Sequence, residues 1–272
     1  MKLLDKKYNF LRPIKFKNLK RYGRNADGGY VCEENIVKNT NILITFGMGP
    51  DWSFELDYIK DNSSIKIFVY DYTVSASPYI KDVWKYFRRY VTFRGKLKFV
   101  VDRWTYLKNY LNFFKIKNVN FFPEKITYPK KSKIDADIDK VFSRIDSNAN
   151  TNGKSVILKS DIEGSEFVIM DGIVKYANRI DALIFEFHWL DKNEKIFLES
   201  IRKLQKFFDI AHIHGNNHCE KLNTGLPITL EMTLINKKYS PANLENIYSF
   251  PIKGLDHPNN PTKNDLSFKF SS

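Results

Sequence analysis

Apolar positions along this chain come in short runs closed by Gly, Asp, Asn or Pro. NILITF (41–46) stops at Gly47, IKIFVYDYT (65–73) carries Asp71, NVNFFPEKIT (118–127) is weakened by Pro123, and SVILKSD (155–161) ends on Asp161. IDALIFEFH (180–188) is a fifth run, and FDIAHIHGNN (208–217) with PITLEMTLIN (227–236) forms a closing pair. Runs of this length, rich in β-branched and aromatic residues and bounded by turn formers, predict strands. Between them the spacing becomes helical: SFELDYIKD (53–61), SPYIKDVWKYFRRY (77–90), WTYLKNYLNFF (104–114), EFVIMDGIVKYA (166–177) and KNEKIFLESIRKLQKFF (192–208). DADIDKVFSRI reads as a short helix and SNANTNGK (147–154) as a loop. Residues 251–272 have prolines, asparagines and little periodicity, which predicts a tail that packs irregularly or frays.

Alternating strands and helices predict an α/β fold, a mostly parallel sheet with helices on both faces. The closing pair suits an antiparallel hairpin. No repeat or long low-complexity run divides the chain, so its 272 residues read as a single domain, with residues 1–40 as an N-terminal segment.

Composition narrows the class. Apolar residues make up 43%, enough for a sizeable core, and Lys plus Arg exceed Asp plus Glu by 44 to 31, a net +13. That charge fits an anionic partner (nucleic acid, a membrane surface or an acidic glycan) as well as a generally Lys-rich composition. Cys32 and Cys219 are far apart and form no Cys-x-x-Cys, which argues against a disulfide framework or a cysteine zinc site. The N-terminus has no continuous apolar segment of the signal-peptide kind, and no stretch nears the roughly 18 apolar residues of a membrane span. The expectation is a cytoplasmic protein without a transmembrane segment.

In an open parallel sheet, ligands bind beyond the carboxyl ends of the strands. Those ends hold FGMGPDWSFE (46–55), Asp71 with Tyr72 and Thr73, Asp161 with Glu163, Glu186 with His188, and HIHGNN (212–217). Gly47 and Gly49 permit close backbone approach, a helix starting near Ser53 offers free N–H groups, and an acid after the next strand can take a ribose diol. A strict Gly-x-Gly-x-x-Gly is absent because residue 52 is Trp, which weighs against a nicotinamide cofactor. Simpler readings stand beside these. Asp161 has the residue type of a helix N-cap, Glu163 and Glu166 suit a first helical turn, and His188 and His214 suit hydrogen-bonded core positions. KDVWKYFRRYVTFRGKLKF (81–99) offers Arg88, Arg89, Arg94, Lys96 and Lys98 to phosphates, with Trp84, Tyr86 and Phe87 to stack. The favoured reading there is an amphipathic helix that buries its aromatics. No specific nucleic acid is favoured.

The segments GRNADGGYV (23–31), FGMGPDWSFE, VYDYT (69–73), LKSDIEGSE (158–166), EFH (186–188), HIHGNN and LEMT (230–233), in this order, resemble the FkbM-type S-adenosylmethionine-dependent methyltransferases, in particular the subgroup with a DGGYV segment. The resemblance covers roughly residues 20–260 in islands, of which LKSDIEGSE is the most specific. It implies a class I methyltransferase fold, a Rossmann-like seven-stranded sheet with an antiparallel last strand, and O-methylation of a sugar, with a glycan, acidic ones included, as the acceptor. By this resemblance S-adenosylmethionine lies against Phe46, Gly47, Gly49, Asp51 and Ser53. Asp71, with Tyr72 and Thr73, takes its ribose, and Asp27, Gly28 and Gly29 close over it. Thr45 and Asp51 depart from the usual acid-x-Gly-x-Gly-x-Gly turn.

Methyl transfer to a hydroxyl needs alignment and removal of the hydroxyl proton. The candidate groups for that chemistry are Asp161, Glu163, His188 and His214. Alternatively a divalent metal, Mg2+ or Mn2+, lowers the hydroxyl pKa from a site of Asp161, Glu186 and His188. Catechol-type methyltransferases place metal acids at the ends of the matching strands. An RNA methyltransferase, a non-catalytic binding module on the same fold, and a place within a larger glycan-assembly enzyme remain open readings.

Overall fold

The computed structural model describes residues 2–147, 151 and 153–271. Its strands are β1 (Lys2–Leu3), β2 (Leu19–Tyr22), β3 (Tyr30–Glu33), β4 (Ile42–Phe46), β5 (Lys66–Tyr70), β6 (Val119–Phe122), β7 (Lys125–Ile126), β8 (Asp135–Ala136), β9 (Val156–Ser160), β10 (Ile180–Phe187), β11 (Phe208–Gly215), β12 (Leu230–Asn236), β13 (Ser249–Phe250) and β14 (Phe268–Lys269). Its α-helices are α1 (Glu34–Asn39), α2 (Ser53–Asp61), α3 (Ala76–Val91), α4 (Leu97–Phe114), α5 (Ile138–Ser147), α6 (Met170–Lys175) and α7 (Leu190–Leu204).

Seven strands form one sheet in the order β11-β12-β10-β9-β4-β5-β6. β10, β9, β4, β5 and β6 run parallel, and β12 inserts antiparallel between β10 and β11. This is the class I, Rossmann-like methyltransferase topology, with an antiparallel last strand and helices on both faces. Side chains alternate across the sheet. Ile42, Ile44 and Phe46 join Leu158, Phe185 and Phe187 in one core, while Leu43, Ile157 and Ile184 join Tyr30, Phe54 and Tyr58 in the other. The switch between faces is what brings Lys159, Asp161 and Glu186 to the side covered by β3 and α2.

All seven expected strands are present, with shorter ends. β6 stops at Phe122 because Pro123 has no N–H to continue the ladder. The helix expected over 192–208 ends at Leu204, and Phe208 opens β11. The helix expected over 104–114 starts earlier, at Leu97, since Gly95 is the only breaker before it. The segment over 166–177 divides into a 3-10 turn, Glu166–Ile169, and α6. The polar loop expected over 147–154 falls partly, at 148–150 and 152, outside the described residues.

Three features differ from the sequence expectation or extend it. Residues 19–33 form a hairpin, β2 with β3, which the polar composition of its turn concealed. The C-terminal tail packs rather than frays: Phe268 and Phe270 are buried, and β14 pairs with both β1 and β13. And α3 does not bury its aromatics; no residue of it is buried, because beyond Ala76 and Tyr79 at its root it packs chiefly on α4 and leaves one side exposed.

Candidate active site at the carboxyl edge of the sheet

The turn after β4 is set by glycine. Gly47 has φ +70, and a Cβ there would lie 1.7 Å from the Asp161 carbonyl oxygen. Gly47 N–H donates to the Tyr70 carbonyl and Asp161 N–H to the Phe46 carbonyl, so three neighbouring strand ends are tied together. Beside them opens a cavity of about 580 Å3, within the size range of small-molecule sites.

Of the residues read from sequence as cofactor contacts, Asp27, Gly28, Gly47, Gly49, Asp51, Asp71, Tyr72 and Thr73 line this cavity. Phe46, Gly29 and Ser53 stand behind the lining. Phe46 is core. A Cβ on Gly29 would meet the Arg24 carbonyl at 2.0 Å, so its role is to close the hairpin turn. Ser53 donates from N–H and Oγ to Asp51, whose carboxylate also pairs with Arg24 Nε at 2.7 Å.

Asp71 is buried and already well used. Its Oδ2 accepts from the N–H groups of Met48 and Gly49, at 3.0 and 2.9 Å, and its Oδ1 from the N–H and hydroxyl of Thr73, at 2.8 and 2.6 Å. Those four bonds fill the lone-pair directions of a carboxylate. The residue holds the glycine turn against the end of β5, and a ribose diol reaches it only by replacing the Thr73 hydroxyl.

Asp161 and Glu163 line the same cavity, and Glu186 and His188 sit directly behind Asp161. One ligand atom from each of Asp161, Glu186 and His188 lies within 4.8 Å of the others. His188 Nε2 is 3.8 Å from Asp161 Oδ1, 3.8 Å from Glu163 Oε2 and 4.0 Å from Glu186 Oε1. Its Nδ1 meets the fully buried Glu166 at 3.1 Å. A carboxylate holding the far nitrogen is the arrangement that orients metal-binding histidines. Burial lowers the His188 pKa, but Glu166, Glu186 and Asp161 outweigh it and raise it to about 9. The surrounding acids thus favour the imidazolium form of His188, which makes it a natural counter-ion for them.

Burial, then the charge of Asp161 and Glu231, holds the Glu186 carboxyl above the usual carboxylate range. Asn216 Nδ2 donates to its Oε1 at 2.7 Å. The Tyr30 hydroxyl sits between Asp161 Oδ2, at 2.8 Å, and Glu186 Oε2, at 2.9 Å. Asp161 thus bonds to the neighbouring hairpin, and no backbone N–H bond to its side chain, as an N-cap would make, is found among the described residues. Glu163 has φ +53 and Trp189 φ +52, positions that cost non-glycine residues of order 1 kcal/mol. Between them Gly164 leaves no room for a Cβ, which would strike the Trp189 ring at 2.2 Å. Strained backbone therefore flanks the acid cluster on both sides.

His214 belongs elsewhere. It is fully buried, with Nδ1 3.0 Å from Glu231 and Nε2 3.0 Å from Asp265 of the tail, so both nitrogens are taken and it does not line the cavity. Its site is structural, and it drops out of the set of candidate bases. Two residues near the cluster were not singled out from sequence. Lys159, buried mid-strand, donates from Nζ to the Gly47 carbonyl at 2.9 Å and lies 3.8 Å from Asp161. Tyr30 is the other. The available signals were a lysine inside the apolar run VILKS and a tyrosine directly after a glycine pair.

No family model matches this chain, and no curated protein does. Among solved structures, similar chains include precorrin-6y C5,15-methyltransferase from Geobacter metallireducens GS-15 (10% identity over 75% of this chain and 88% of that one, TM-score 0.36). The fibrillarin pre-rRNA processing protein of Methanococcus jannaschii (10% identity, 74% and 68%, TM-score 0.36) and spermidine synthase from Thermotoga maritima (11% identity, 77% and 58%, TM-score 0.37) are others. Likenesses this distant choose neither substrate nor reaction. The class I methyltransferase fold is carried by the strand order and directions themselves.

Proposed function

We propose that this chain is an S-adenosylmethionine-dependent O-methyltransferase acting on a hydroxyl of a carbohydrate. The observation that supports it most is convergence: the Gly47 turn, Asp71 and Asp161, spread over more than a hundred residues, line one cavity at the carboxyl edge of a class I sheet. The sugar acceptor rests on the sequence resemblance, and the cations Arg24 and Lys125 in the cavity wall suit one that carries acidic groups.

S-adenosylmethionine, when bound, supplies an electrophilic methyl group, and the Gly47–Gly49 turn, Asp71, Thr73 and Asp27 with Gly28 are the residues to hold it. The chain's task is then alignment and proton removal. Asp161 is the group placed to accept the hydroxyl proton. Tyr30 fixes one of its oxygens, and the Lys159 ammonium lies 3.8 Å from it while bracing the Gly47 carbonyl. A divalent cation, which lowers a bound hydroxyl's pKa, has fitting ligands in Asp161, Glu186 and His188: oxygen and imidazole donors, a second carboxylate behind the imidazole, and acids otherwise crowded together. In that role His188 is a ligand and not the base.

The test is calorimetric titration of S-adenosylmethionine, followed by methyl transfer to a panel of sugars with and without a chelator. Asp71→Ala is expected to weaken cofactor binding by about tenfold or more, the loss of one or two hydrogen bonds to a charged group. Asp161→Ala is expected to keep binding and lose transfer by roughly a hundredfold. Full affinity in the first variant rejects the ribose role, and full turnover in the second removes Asp161 from the chemistry. Absence of any cofactor binding by the wild type favours a binding module on this fold.

A further inference from the structure

The hairpin of α3 and α4 is anchored at its base and bare along its length. Tyr110 and Phe113 of α4 pack on Trp52 at the root. Further out, an apolar stripe at Ile80, Trp84, Phe87 and Val91 runs along α3 at helical spacing, all four residues exposed. α4 carries a matching exposed stripe through Leu97, Val101 and Trp104. Trp84 is 62% exposed, Trp104 58%, and Phe93, in the turn between the helices, 99%. Residues 76–114 hold nine Lys and Arg against two Asp, a net +7 of the chain's +13. Apolar surface of this extent is uncommon on a protein without a partner.

We propose that this hairpin is a membrane-surface arm that seats on anionic phospholipid bilayers. Three observations choose this occupant. Exposed aromatic and aliphatic residues flanked by cations are the composition of segments that lie in the bilayer interface, and the arm's charge complements an anionic leaflet. The aliphatic members of the stripes, Ile80, Val91, Leu97 and Val101, have no π-face, so base stacking does not account for them. A second copy of the same arm brings +7 against +7, which opposes self-association through it. No helix among the described residues is long and apolar enough to cross a membrane, so the arm lies on the bilayer and does not span it.

The arm also has a place relative to the cavity. α3 begins at Ala76, three residues after Thr73 in the cavity wall, and the Tyr106 hydroxyl of α4 donates to the carbonyl of Pro50, also in the wall. With 16 residues in α3, the arm reaches about 24 Å. Seating it holds the cavity rim within that distance of the lipid surface.

The test is co-sedimentation of the full chain with vesicles of phosphatidylcholine alone or mixed with phosphatidylglycerol. It needs no methyl donor, so its result is independent of the catalytic reading. Binding is expected to the mixed vesicles only and to weaken with added salt. The variant Trp84→Ser/Phe87→Ser/Phe93→Ser is expected to bind about tenfold more weakly or worse, and so is Arg88→Glu/Arg89→Glu/Arg94→Glu. Because these residues are exposed, both variants are expected to melt with the wild type. Three outcomes overturn the proposal: wild type that stays with the supernatant in both mixtures, binding of a single-stranded RNA oligonucleotide without binding to vesicles, or a solution dimer that the aromatic variant dissociates while vesicle binding is absent.

Discussion

Tyr30 has one hydroxyl hydrogen and two carboxyl groups within hydrogen-bond reach. That hydrogen satisfies one of them at a time, and burial holds the Glu186 carboxyl above the usual carboxylate range. The sequence gives the addresses of this cluster, since Asp161, Glu186 and His188 each follow from their place at a strand end. It does not give the wiring: Tyr30 arrives from a hairpin more than a hundred residues away, and Lys159 hides within an apolar strand. For the same reason His188 and His214 looked alike in sequence and differ in the fold, one facing three acids beside a cavity, the other clamped between Glu231 and Asp265. The clamp has a pH signature. Burial lowers the His214 pKa, but Glu231 and Asp265 outweigh it and raise it to about 10, from about 6.5 in the unfolded chain. A raised folded value means that its stabilisation is complete below about pH 6.5 and is lost as pH climbs through about 10. His214→Gln is expected to cost about 3 kcal/mol at pH 6, as for breaking a buried pair, with the gap to wild type closing toward pH 10. Urea unfolding at the two pH values measures it, and a gap that stays constant rejects a charged His214.

Among the elements, those with long periodic patterns were readable and those stabilised by distant partners were not. Strands β4, β5, β9 and β10 lie within a residue or two of their expected bounds at the start, because burial on both faces writes a continuous apolar run. The tail lacked such a run, yet Asn259 donates to Glu231 at 2.6 Å, Asp265 meets His214, and Phe268 stacks on Phe250 at 5.5 Å. Its order comes from contacts with β11, β12 and β13 that no local pattern encodes. Phe268→Ala is therefore expected to lower stability by about 3 kcal/mol, the usual cost of emptying a fully buried phenylalanine site. A frayed tail predicts an unmoved urea midpoint, so that outcome rejects its packing. The opposite error was made at α3, where a strongly amphipathic pattern suggested burial. Amphipathicity reports that a helix has an apolar side, and the fold decides whether protein covers it.

At the scale of the molecule, stretches from the β2–β3 turn to Asn216 meet at one edge of the sheet, and no part of them builds the cavity alone. Gly47, Asp71 and Asp161 belong to three different strand ends that are hydrogen-bonded to one another. A ligand seated between them touches all three strand ends, so it binds the folded sheet and not the unfolded chain. Its binding must then appear as global stability: at a hundredfold excess over Kd the gain is about 2.7 kcal/mol, or roughly 5–10 °C in Tm for a chain of this size. Thermal unfolding with rising S-adenosylmethionine is expected to follow that curve as one cooperative transition. Gly47→Ala, whose Cβ has no space beside the Asp161 carbonyl, is expected to lower Tm and to abolish the response. A wild-type Tm that stays constant at saturating S-adenosylmethionine, with no heat of binding, removes the cofactor while leaving the sheet topology intact, because the fold rests on strand order and the ligand rests on the cavity.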